Sequence, residues 1–82
     1  MLKGIKLSIY INWQRCSEFF IDNFHSNNLS EISEKMASFI KNAILYLMSE
    51  QCFDNYFVDF NLFDGKNSFF MQITRNYKSL YF

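Results

Sequence analysis

The side chains of this 82-residue chain that could take part in a reaction are few and far apart: His25, Cys16, Cys52, Asp59, Asp64 and, within the stretch FIKNAILYLMSE, Asn42. A metal site or a catalytic triad needs second and third partners at a workable geometry, and His25, in the polar run HSNN, reads instead as a surface residue. Cys16 and Cys52 lack metal-ligand spacing and read as free, buried thiols of a reducing compartment. Cys16 falls on the expected core face of a first helix, where apolar surroundings disfavour the thiolate. Asp59 and Asp64 read as solvent-face and turn residues. Gly4 and Gly65 are too few and too separate to form a glycine-rich phosphate loop. The expectation is a protein that is not an enzyme, with no catalytic residue, metal or cofactor.

The elements that would position these residues are small in number. A chain of this length is expected to form one domain, residues 1–82, burying little more than about 60% of its unfolded surface. Its composition compensates: 50% of residues are apolar and 21% aromatic, so the core can be dense for its size. Each buried ring removes roughly 150–250 Å² from water, and rings left outside suggest a partner, a second copy or missing sequence. Eight Lys/Arg balance eight Asp/Glu without a run of either sign, which argues against nucleic acid or an anionic membrane as partner. The N-terminal MLKGIKLSIYINW alternates rather than forming an apolar run with a cleavage site, and no stretch approaches the length of a membrane span. A cytoplasmic location is expected.

Ile5, Leu7, Ile9 and Ile11 alternate with Lys6, Ser8 and Tyr10, the period of a strand with one buried face. Trp13, Cys16, Phe20 and Phe24 then follow i, i+3, i+7, i+11, which predicts a first helix capped by Asn12 and ended by His25 to Asn28. A long helix is predicted from Asn28 or Ser30 to about Gln51. Ile32, Met36, Phe39, Ile40, Ala43, Ile44, Leu47 and Met48 form its apolar stripe, with Asn42 on the opposite side.

The last segment is a hairpin. A two-residue turn at Gly65 and Lys66, with glycine supplying a positive φ, sets Leu62 opposite Phe69, Phe60 opposite Met71 and Val58 opposite Ile73. Its other face carries Phe57, Phe63 and Phe70. The predicted architecture is α+β: a two-layer sandwich in the order β-α-α-β-β, with two helices on one face of an antiparallel sheet.

ASFIKNAILY followed by an apolar hairpin resembles the N-box helix of the histidine-kinase-like (GHKL) ATPases, and NWQRCSEFFIDNF is similar to a segment of a bacterial regulatory branch related to anti-sigma-factor kinases. The resemblance covers roughly residues 5–76. It implies that Asn42 would stand on the magnesium side of a bound ATP. The chain departs from that pattern at Ser38, where the family has Glu, and at TRNYKSLYF, where the family has a glycine-containing adenine loop. With the lid and second glycine box also missing, the resemblance implies a reduced, non-catalytic partner-switch regulator.

Two alternatives stand beside it: a small phage- or mobile-element-type inhibitor or adaptor that binds a host protein, and weak ATP/magnesium binding through Asn42. In the leading reading the chain binds another protein or its own copy, the latter as a homodimer, through Phe57, Phe63, Phe70, Tyr77, Tyr81 and Phe82.

Overall fold

A computed structural model describes residues 1–75, which run β1 (Gly4–Ile11), β2 (Gln14–Ile21), α1 (Leu29–Ser49), β3 (Tyr56–Phe63) and β4 (Ser68–Arg75). The order is therefore β-β-α-β-β, and among the described residues a single helix packs on the sheet. The expected β-α-α-β-β sandwich with two helices is wrong. All neighbouring strands are antiparallel, in the spatial order β2-β1-β3-β4.

The error lies in residues 13–24, which form a strand and a loop where a helix was expected. Asn12 is not a helix cap. With Trp13 it makes the tight turn of the first hairpin, both at positive φ (51° and 69°), as a type I′ turn requires. Tryptophan is a rare residue in that conformation, and no glycine marks the turn. Ile9 pairs with Ser17 and Tyr10 with Arg15, so Cys16 is the extra residue of a bulge.

The bulge interrupts the period of two, and Trp13, Cys16, Phe20 and Phe24 coincide with helical spacing without sharing a face. Phe19 and Ile21 lie on the core side, Phe20 on the other, and Phe24 enters the core from the following loop. Cys16, expected to be buried, is exposed. The loop is held by a two-way backbone bridge between Leu2 and Ser26 (2.9 and 3.0 Å).

The long helix forms where its stripe demands. Asn28 caps it, the side-chain oxygen accepting from the N–H groups of Ser30 (2.9 Å) and Glu31 (3.3 Å). It ends without glycine or proline: Gln51 adopts a positive φ of 54°, the Cys52 N–H donates to the Leu47 carbonyl (2.8 Å) and the Gln51 N–H to that of Met48 (3.0 Å). That pair of bonds is a Schellman ending.

The core sits beneath α1 and is centred on β1. Ile5, Leu7 and Ile9 are fully buried against Phe24, Ala43, Leu47, Val58 and Phe60. Toward β2, Phe39 of α1 meets Phe19 with ring centroids 6.4 Å apart, and the Tyr46 hydroxyl donates to the Cys16 carbonyl at 3.2 Å. The bulge carbonyl is thereby satisfied by the helix. Burial raises the Tyr46 phenol above its ordinary pKa, with the charges of Glu50 and Cys16 adding to the shift.

The β3–β4 hairpin has the expected register, Leu62 with Phe69, Phe60 with Met71 and Val58 with Ile73. Gly65 supplies a φ of 99°. The Asp64 carboxylate accepts from the N–H groups of Lys66 (3.0 Å) and Asn67 (2.9 Å), and these bonds hold its pKa below the ordinary value. Ile44 and Met48 depart from expectation: both are exposed, because the helix leans over β1 and away from β4.

Candidate functional site

On the sheet face away from α1, two ring clusters stand at opposite ends. Phe57 stacks on Tyr10 (centroids 4.4 Å, interplanar angle 8°) and meets the edge of Trp13 at 5.7 Å. Phe57 is thus 7% exposed, most of its surface taken up within the chain. At the other end Phe63 stacks with Phe20 at 5.9 Å and lies directly over Gly4, where a Cβ would meet the ring and, at 2.8 Å, the Ile21 carbonyl. Glycine is needed there for close approach.

Of the residues expected to form the interaction surface, Phe57, Phe63 and Phe70 share this face, and of the three Phe70 is the most exposed, at 66%. Tyr77, Tyr81 and Phe82 lie outside the described residues. Asn42 is exposed on the outer side of α1. Among the described residues no three His, Cys, Asp or Glu side chains come together as a metal-binding group, and no helix is long and apolar enough to cross a membrane.

A further apolar surface lies open on the helix side of β4. Phe69, Met71 and Ile73 share the sheet face of the buried Val58 and Phe60, yet they are 56%, 44% and 47% exposed. Of the three, Ile73 lines a cleft with Ile44 of α1, and Ile44 and Met48 are themselves 52% and 58% exposed. Between helix and strand runs an apolar cleft of about 160 Å³, lined by Ile40, Ile44, Leu47, Tyr56, Val58 and Ile73 among others. Alternation identifies the face these residues share, but the helix position that leaves them uncovered has no signature in the sequence.

Backbone phase completes the site. The Asn12 N–H donates to the Asn55 carbonyl (3.0 Å), and β1 and β3 continue from that pair, so Phe57, Asp59, Asn61 and Phe63 bond toward β1. Val58, Phe60 and Leu62 must then bond toward β4, as the Asp64 N–H to Asn67 carbonyl bond (3.2 Å) at the turn also requires. It follows that Phe69, Met71 and Ile73 direct their amides and carbonyls into the sheet, and Ser68, Phe70 and Gln72 direct theirs outward. By the same alternation Ser17, Phe19 and Ile21 of β2 bond to β1, leaving Glu18 and Phe20 directed outward on the opposite edge.

The chain matches no family model, no curated protein and no solved structure at a significant level.

Proposed function

We propose that this chain is a non-enzymatic protein-interaction domain that binds through the β4 edge and the apolar cleft between β4 and α1. The observation that carries the reading is the half-exposed row Phe69, Met71 and Ile73, which reaches the α1 cleft at Ile73 and is continuous with the outward-directed backbone of Ser68, Phe70 and Gln72. An added strand gains main-chain hydrogen bonds along such an edge and specificity from alternate side chains seated in the apolar cleft. A regulatory partner-switch role and an inhibitor or adaptor role both fit this mode of binding, because each needs only reversible capture of a protein.

Photo-crosslinking in the native host tests the reading. With a photoreactive phenylalanine at position 70, a covalent adduct of higher mass is expected. The same group at position 20, on the β2 edge, is expected to give none. Adducts at neither position, or equally at both, would overturn the assignment of the surface.

A further inference from the structure

We infer that the occupant of the β4 edge is a second copy of this chain, paired antiparallel to form a continuous eight-stranded sheet with Met71 on the two-fold axis. The inference rests on the reading of this edge as the interaction surface and names its partner.

An axis perpendicular to the sheet keeps every residue on its own face, so the strands pair about a residue and not between two. Three central positions can be compared. About Met71, Phe69 lies opposite Ile73 of the second copy, Met71 opposite Met71, and Ile73 opposite Phe69, so all three apolar residues meet apolar ones. About Gln72, Phe69 would face Arg75; about Phe70, Ile73 would face Asn67. Only the Met71 register is self-complementary, because β4 reads Phe69-x-Met71-x-Ile73 around its centre.

The backbone agrees with that register. Met71 bonds into its own sheet, so at the axis the two Met71 residues form a non-hydrogen-bonded pair, while Phe70 and Gln72 on either side exchange bonds with Gln72 and Phe70 of the second copy. No charge interrupts Ser68–Thr74; Arg75 closes the strand. Both helices fall on the same side, so the two clefts face each other across the axis.

The area is sufficient. At roughly 200 Å² for a large side chain, the exposed fractions of Phe69, Phe70, Met71 and Ile73 leave about 430 Å² on the strand of each copy, and those of Ile44 and Met48 on α1 add about 220 Å². With the strand backbone this approaches the roughly 800 Å² per partner of a standard stable interface.

The full chain carrying Cys16→Ser and Cys52→Ser provides the test. Light scattering on a sizing column is expected to give twice the 9.9 kDa chain mass, and Met71→Glu is expected to give the monomer with an unchanged circular dichroism spectrum. Introducing Met71→Cys is expected to give a disulfide-linked dimer under mild oxidation, since non-hydrogen-bonded partners stand about 4.5 Å apart at Cα. Gln72→Cys is expected to link far less. Linking through position 72 in preference to 71 overturns the register.

A monomeric mass at every concentration overturns the dimer and gives the edge to another occupant, either residues 76–82 or a different protein. In that case a photo-adduct at position 70 whose mass is not twice the chain's leaves the interaction reading standing. Absence of any adduct removes both.

Discussion

β2 and β4 are eight-residue edge strands of one sheet, yet they end it in different ways. On β2, the bulge at Cys16 breaks the ladder, the Tyr46 hydroxyl takes the bulge carbonyl, and Glu18 lies within 3.4 Å of Arg15 and 3.9 Å of Lys6. These ion pairs are exposed and add little stability. Their effect is on access, because charge and a bulge make an edge a poor template for another strand. On β4 the pairing with β3 runs without a register break, its single charge lies at the end, and Phe69, Met71 and Ile73 stay open to solvent. An edge closed to pairing and an edge open to it are thus distinguished by a few residues, with no difference in strand length.

The largest expected effect probes the covered part of the sheet between the two edges. Phe60→Ala removes a ring that is almost fully buried under α1 and is expected to cost about 3–5 kcal/mol in urea unfolding. Phe69→Ala on the open strand is expected to cost about 1 kcal/mol under dilute conditions. Equal losses would erase the distinction between covered and open strands. Next in size, Gly4→Ala drives a methyl group into the Phe63 ring and the Ile21 carbonyl of β2. A loss of about 1–3 kcal/mol is expected, and a neutral result would show that the β2 side yields easily.

A smaller effect concerns the turn that presents β4. The folded Asp64 carboxylate has a pKa below its unfolded value, so its stabilising contribution is fully present above about pH 4 and is lost as the pH falls through the lower folded value. Thermal unfolding measured from pH 7 to pH 3 is expected to fall less steeply for Asp64→Asn, which keeps an oxygen acceptor without the titration. The smallest effect is expected at Asn42, exposed on the helix surface. Asn42→Ala should change stability by no more than about 0.5 kcal/mol and leave solution mass unaltered; a change in mass would place the interaction surface on the outer side of α1.

These contrasts also explain what was legible in the sequence. The β3–β4 register could be read because Val58, Phe60 and Leu62 alternate against Phe69, Met71 and Ile73 across one glycine turn. The helix could be read from the spacing of Ile32 to Met48 and the Asn28 cap. β2 could not, since the Cys16 bulge shifts the alternation and the Asn12-Trp13 turn reaches positive φ without glycine. The openness of β4 was also hidden: the stripe of α1 is broader than the surface it covers, and only tertiary placement decides that Ala43 and Leu47 go inward while Ile44 and Met48 stay out.

Residue-resolved amide exchange tests the contrast between the edges most directly. Protection of the outward-directed Phe70 and Gln72 amides is expected to rise with protein concentration, while Glu18 and Phe20 on β2 exchange rapidly at every concentration. Protection at Phe70 and Gln72 that does not depend on concentration, or the same dependence on both edges, would contradict it.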